Sequence, residues 1–256
     1  MNILCVGDVV GTAGCRHLEK VLPSIKRQYA VDVCIVNGEN SADGNGMTKV
    51  SAEALFRAGA DAITGGNHTY RRFELYDELE RENGILRPAN YPASAPGSGV
   101  FVIDKGRFRV AVINLLGVVY MEPLACPFET LDAILSDPSL PVCRIVDFHA
   151  EATAEKKALA YYADGRVSAV VGTHTHTPTA DEQVLENGTA FITDIGMTGP
   201  IRSVLGVCPE QSIAKIKGKL PTRFSVADGP CSMQAVLITV DNATGKAVAI
   251  ERLDIR

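Results

Sequence analysis

The residues able to do chemistry in this sequence gather at a few places, each just after a short apolar run. Ile3-Leu4-Cys5-Val6-Gly7 leads into Asp8, and Cys34-Ile35-Val36-Asn37-Gly38 leads into Glu39 and Asn40. Ala62-Ile63-Thr64-Gly65-Gly66 leads into Asn67 and His68, Ile145-Val146-Asp147-Phe148 into His149, and Ala169-Val170-Val171-Gly172-Thr173 into His174-Thr175-His176. Any one of them alone is an ordinary polar residue leaving a strand. The pattern argues otherwise, because the chain has 5 His and four of them, His68, His149, His174 and His176, stand at these ends. His17 is the exception and reads as structural or solvent-facing. Imidazole suits Zn, Fe, Ni and Cu, whereas carboxylate and amide oxygens suit harder ions such as Mn and Mg. Asp, Glu, Asn and His together, without thiolates, point to a hydrolytic pair of Mn, Fe or Zn ions rather than a structural zinc.

In an extended chain, His174 and His176 project to one side. Two divalent ions bring four positive charges and Asp8 with Glu39 cancels two, so about +2 remains to bind a phosphoryl group and stabilise its transition state. The expected nucleophile is a water between the ions, its pKa lowered from 15.7 toward about 7 as on a single zinc. Competing chemistries lack their motifs. There is no Gly-x-x-x-x-Gly-Lys-Ser/Thr loop, no Gly-x-Gly-x-x-Gly after the first strand and no Gly-x-Ser-x-Gly elbow. His149-Ala150-Glu151-Ala152 lacks the second His of a zincin helix. Glu151 is expected behind a ligand or as an acid at a helix N-terminus.

The elements that must position these residues alternate. Ile3–Gly7 reads as a strand, then a helix from about Ala13 to Tyr29 with a kink at Pro23. Strand Val33–Asn37, the Gly-rich loop Ser41–Met47, helix Ser51–Ala58, strand Ala62–Thr64 and a charged helix Arg71–Asn83 ended by Gly84 follow. Pro88 to Gly99 is a loop. Val100–Asp104 and Phe108–Leu115 form a hairpin at Lys105-Gly106. Helix Phe128–Ser136, strand Arg144–Phe148, helix Thr153–Ala163 and strand Ala169–Gly172 continue the alternation. Ala190–Thr193, Gln234–Asp241 and Ala247–Leu253 read as antiparallel strands. The fold class is α/β, a mixed protein with two sheets packed face to face between helices. In such sheets ligands bind beyond the carboxyl ends of the strands, and glycines 7, 38, 65, 66 and 172 let the backbone approach a ligand. No repeat or linker divides residues 1–256, which predicts a single domain.

Composition sets the outer limits. Hydrophobic residues make up 46% and charged residues 21%, ordinary for a globular protein. A net charge of −5 argues against a stable nucleic-acid partner or a membrane-surface role, whose affinity comes from clustered Lys and Arg. Lys215, Lys217 and Lys219 read as a solvated face. Met1–Val6 enters a strand without a basic n-region, and the apolar run Val110–Met121 is too short to span a membrane. Seven scattered Cys without a Cys-x-x-Cys pair fit a reducing compartment, so a cytoplasmic location is expected. Cys5, Cys34 and Cys143 read as small core hydrophobes.

The order Gly7-Asp8, Gly38-Glu39-Asn40, Gly66-Asn67-His68, His149 and Gly172-Thr173-His174-Thr175-His176 resembles the calcineurin-like metallophosphoesterases, and more closely their YmdB-type bacterial branch. Glu39 stands where the wider superfamily has a bridging Asp, and Val10 where it has a His. Gly11-Thr12-Ala13-Gly14, Phe148-His149-Ala150-Glu151 and Asp194-Ile195-Gly196-Met197-Thr198-Gly199-Pro200 extend the resemblance over nearly the whole chain. It implies a four-layer αββα sandwich and two divalent or mixed-valence ions per chain, of Fe, Mn or Zn. It implies that Asp8, Asn40 and His176 hold the first ion, Asn67, His149 and His174 the second, and Glu39 both, with His68 as general acid. The implied activity is phosphodiester hydrolysis, with 2′,3′- and 3′,5′-cyclic nucleotides the leading substrates. A nucleotidase on the same ions, a nucleotide sensor with incidental turnover, and a homo-oligomer stay open. Loops 41–47 and 196–207 are candidate pocket rims, and Arg16 and Arg202 candidate phosphate contacts.

Overall fold

Successive residues of a strand face opposite sides, and along the central strands of this chain both sides are apolar. In this computed structural model, which describes residues 1–256, Leu4 and Val6 of β1 (Asn2–Val6) join a cluster with Leu18, Leu22 and Leu55 from α1 (Gly11–Gln28) and α2 (Lys49–Ala58). Ile3 and Cys5, on the other side, join Val112, Ile145, Val171 and Ile192 of a second sheet. Ile113, Val146 and Phe148 of that sheet then turn outward onto Leu131 and Leu159 of α4 (Pro127–Leu135) and α5 (Thr153–Ala163). The layers are helix, sheet, sheet, helix. Each Val, Leu, Ile or Phe buried in this way contributes roughly 1.5–3 kcal/mol.

The first sheet runs β2 (Asp8–Val9), β11 (Met197–Pro200), β12 (Cys231–Val240), β1, β3 (Val33–Asn37), β4 (Ala62–Thr64), with β13 (Ala247–Ile255) paired to β12. The second runs β5 (Val100–Asp104), β6 (Arg109–Leu116), β7 (Cys143–His149), β8 (Ala169–Thr173), β10 (Ala190–Ile192), β9 (Gln183–Val184). β1, β3 and β4 are mutually parallel, as are β6, β7, β8 and β10. The residues that follow β1, β3, β4 and β8 converge on one edge of the sandwich with His149, the last residue of β7.

Several expectations change. The charged stretch Arg71–Asn83 is not one helix but short turns at Thr69–Arg71 and Phe73–Leu75 and a single turn, α3 (Tyr76–Leu79). Only Leu75 and Leu79 offer buried anchors there, and Arg72 is extended (φ −121°, ψ 107°). Its guanidinium reaches back to donate to the Asp43 and Asn45 carbonyls at 2.8 and 3.1 Å, which a helical backbone would prevent. Ala190–Ile192 pairs parallel to β8 and antiparallel only to the short β9. Pro23 sits within α1 without ending it. Strands β2, β9 and β11 and helix α6 (Pro209–Gly218) carry too little periodicity to be read from sequence; α6 bears Lys215 and Lys217, with Lys217 and Lys219 in solvent. No helix is long and apolar enough to cross a membrane.

Candidate functional site

The turns after the strands bring the predicted donors together in two groups that share Glu39. In the first, His176 Nε2 lies 3.4 Å from Asp8 Oδ1, and Asn40 Nδ2 lies 3.5 Å from that oxygen and 3.3 Å from His176 Nε2. In the second, His149 Nε2 lies 3.0 Å from His174 Nδ1, 3.1 Å from Asn67 Oδ1 and 3.1 Å from Glu39 Oε1. Glu39 Oε1 also accepts from Asn40 Nδ2 at 3.0 Å, so one carboxylate oxygen lies between the groups. Asp8, Glu39 and His149 are buried, and Asn67, His68, His174 and His176 are partly exposed. Gly66 makes room: a Cβ there would fall on Glu39 Oε2 and the His149 ring.

The buried second group holds more lone pairs than protons. Thr173 Oγ1 donates to Asp147 Oδ1 at 2.7 Å and so accepts from His149 Nδ1 at 2.9 Å. That fixes the tautomer with a lone pair on His149 Nε2. The lone pair then faces the oxygens of Asn67 and Glu39, an arrangement that a shared cation stabilises. Burial works against a charge on His149, yet Glu39, Asp8 and Asp147 raise it to about 9. Burial likewise disfavours the Glu39 carboxylate, but His149 and His68 hold its pKa well below the usual range. Loss of solvent also works against a charge on His176, and Asp8 beside it outweighs that and raises its pKa. His174 is lowered by burial and by His149.

His174 and His176 are not in extended chain. They lie past β8 with φ of 101° and 60°, left-handed conformations that cost roughly 1–3 kcal/mol each in non-glycine residues. The pair therefore splits, His174 to the second group and His176 to the first, instead of pointing to one side. His176 is steered by its Nδ1, which donates to the Leu205 carbonyl at 3.1 Å, and Leu205 is itself left-handed (φ 55°). Glu151 accepts from His174 Nε2 at 3.0 Å, behind a donor as expected.

Asn67 and His68 part as neighbours in sequence should. Asn67 turns to His149, while His68 Nδ1 meets Asn40 Oδ1 at 3.0 Å and its backbone N–H donates to Glu39 Oε2 at 2.9 Å. His68 also lines a cavity of about 250 Å³ beside the two groups. Asn40 presents its NH₂ to Asp8, Glu39 and His176 and its oxygen to His68, so ligating an ion with Oδ1 requires the amide to turn over.

Residues of both proposed rims, Ala42, Gly44 and Asn45 and then Leu205 and Val207, line that cavity; Arg16 and Arg202 do not, and both are exposed. No Lys or Arg lines it at all. A phosphoester held beside Glu39 and Asp8 thus needs positive charge from bound cations, which these donors fit: two carboxylates, two amide oxygens and three imidazoles. His17 bonds the Ile255 carbonyl at 3.2 Å, a structural contact. Sequence reasoning did not find Asp147, Thr173, Leu205 or the buried pair of Lys156 Nζ and Asp194 Oδ2 at 2.8 Å. Asp194 carried a signal as part of the motif ending at Pro200, Thr173 as part of the motif ending at His176, and Leu205 only as one residue of the rim 196–207.

Two sheets packed between helices, with Asp, Glu, Asn and His converging beyond their strands, define a metallophosphoesterase-like fold. A crystal structure of a protein from Thermus thermophilus superposes with a TM-score of 0.94 at 38% identity, covering 99% of this chain and 98% of that one. A crystal structure described as a novel phosphatase of Mycoplasma pneumoniae gives 0.93 at 35% identity, covering 100% and 93%. The 2′,3′-cyclic-nucleotide 2′-phosphodiesterase of Bacillus subtilis (strain 168) is 45% identical over 254 residues, 99% of this chain and 96% of that protein. The family model described as YmdB-like protein matches residues 4–253, and the chain belongs to that family.

Proposed function

We propose that this chain is a metal-dependent phosphodiesterase acting on cyclic nucleotides. In it Asp8, Asn40 and His176 hold one ion, Asn67, His149 and His174 a second, and Glu39 both. The observation that carries this reading is Glu39 Oε1, 3.0 Å from Asn40 Nδ2 and 3.1 Å from His149 Nε2. A single oxygen reaches two otherwise separate sets of donors. When bound, two divalent ions supply positive charge to the phosphoryl oxygens and lower the pKa of bound water. The relative from Bacillus subtilis, 45% identical, supports a 2′,3′-cyclic phosphate as substrate.

Hydrolysis at the 2′ ester adds a water oxygen to phosphorus and breaks the P–O2′ bond. A 3′-monophosphate remains, and the departing 2′ oxygen takes a proton. His68 is suited to give that proton. Its Nδ1 edge is held by Asn40 and Glu39, leaving Nε2 as the free edge of a ring that lines the cavity. Asp147 and Thr173 keep His149 in its ligating tautomer, and Leu205 does the same for His176.

Elemental analysis of the native protein, run beside assays of a cyclic nucleotide and its matching monoester, tests the reading. About two ions per chain and preference for the diester are expected. One ion per chain removes the dinuclear site, and preference for the monoester makes the protein a nucleotidase. Glu39→Gln removes a charge shared by both groups, so metal content should fall well below two per chain and activity should vanish, whereas His17→Ala should change neither. An active Glu39→Gln protein with full metal content contradicts the bridging role.

A further inference from the structure

We infer that Phe224, with Leu205 and Val207, forms a nucleobase-binding wall beside the phosphoester site. This inference rests on the phosphoesterase reading above and adds what the site recognises beyond phosphorus. The cavity of about 250 Å³ is lined by two chemically distinct sets of residues. Glu39, Asn40, His68, His174 and His176 form the polar set; Val10, Leu205, Val207, Phe224 and Val226 form the apolar one. A phosphate has no use for that second surface, and the purely metal-based chemistry leaves it unexplained. A group joined to the phosphate, flat and apolar on its faces, would cover it. A nucleobase is such a group, and aromatic side chains receive bases by stacking with little regard to sequence.

The wall is held in place before any ligand arrives. Phe224 is about half exposed, as is Leu205 (46% and 49%), so neither is there to fill the core. The backbone next to Phe224 is nonetheless tied down on several sides. The Ser225 N–H donates to Gln211 Oε1 at 2.7 Å, and its carbonyl accepts from the Cys208 N–H at 3.1 Å. Val226 bridges antiparallel to Val207, and the Ala227 N–H donates to the Gly206 carbonyl at 2.9 Å. The wall is also coupled to the proposed metal donors, because the carbonyl of Leu205 is the group that orients His176. Gly44 and Asn45 also line the cavity, held there by Arg72 through the Asp43 and Asn45 carbonyls. An exposed aromatic ring carried on a tied-down backbone, within the same cavity as the donors, is a platform, and it makes Phe224 a specificity-determining residue for nucleoside over plain phosphoesters.

The test compares 2′,3′-cyclic AMP with methyl riboside 2,3-cyclic phosphate, which has the same strained ester and no base. Phe224→Ala should lower kcat/KM on the nucleotide about tenfold, within the range that loss of base–aromatic stacking produces, and mainly through KM. The baseless substrate should change less than twofold, and Phe224→Tyr or Phe224→Trp should restore the nucleotide. Equal losses on both substrates, or none on the nucleotide, overturn the inference. If the wild-type protein turns over neither substrate, the proposed activity fails, and binding still decides this point. Titrated against metal-loaded protein, 3′-AMP should bind Phe224→Ala about tenfold more weakly than wild type while inorganic phosphate binds both alike. Unchanged affinity for 3′-AMP overturns the platform.

Discussion

Replacing His68 by alanine is expected to leave both ions and the fold in place while slowing cyclic-nucleotide hydrolysis by about 10²–10⁴-fold, the usual contribution of a positioned general acid. Asn67 and His68 turn to different partners, Asn67 to His149 and His68 to Asn40, so the two side chains do not act as one pair. Its ring is partly exposed at the cavity and makes no backbone-stabilising contact through the side chain. What it offers is a nitrogen facing the substrate space and a second nitrogen anchored on Asn40 and Glu39. The departing ribose oxygen is a poor leaving group without a proton, whereas nitrophenolate leaves without one. A nitrophenyl phosphodiester should therefore lose far less than a cyclic nucleotide, and metal content should stay at two per chain. Loss of metal, or equal impairment on both substrates, would make His68 a ligand or a structural residue.

Much of this site was legible because buried parallel strands leave a plain signature. Val33–Asn37 and Ala169–Thr173 are apolar on both faces, and their shortness, β-branched residues and neighbouring glycines favour a strand over a buried helix. Their carboxyl ends then locate the chemistry without any three-dimensional information. Geometry past those ends was not legible. That His174 and His176 adopt left-handed backbone and part company depends on Asp8 Oδ2 accepting the His174 N–H and on Leu205 holding the His176 ring. Those partners are 166 and 29 residues away. Asp147 looked like one more polar residue in β7. Burial raises its carboxyl to about 6 even though Thr64, His149 and Thr173 favour the charged form, and it sets the tautomer of a proposed ligand. The Arg71–Asn83 stretch failed for the opposite reason: strong local helix propensity lost to a tertiary demand on Arg72.

Lys156 is the clearest case of a residue invisible to sequence, and Lys156→Met should be the most damaging substitution outside the donors. It lies in α5, where a Lys ordinarily faces water, yet only 1% of its side chain is exposed and its partner Asp194 is fully buried. Asp194 does more than neutralise it. Asp194 Oδ2 accepts the Thr175 N–H at 3.0 Å, between His174 and His176, and Oδ1 accepts the Gly196 N–H at 2.9 Å. The pair thus clamps the strained turn that delivers both imidazoles. Gly172 allows the close approach, since a Cβ there would meet the Thr193 carbonyl and the Lys156 stem. Methionine keeps most of the volume and leaves a buried carboxylate without its cation, a change that costs about 3–5 kcal/mol. That is a large share of the roughly 5–15 kcal/mol that holds a protein folded. For a chain of this size it corresponds to a fall in Tm of roughly 10 °C. The turn should loosen before the sandwich does, so metal content and kcat should fall at temperatures where the far-ultraviolet spectrum is still native. Lys156→Met combined with Asp194→Asn removes the stranded charge and should recover much of the lost stability. A single Lys156→Met variant within about 1 kcal/mol of wild type, the worth of an ordinary surface pair, with full metal content, would show that the pair does not hold the turn.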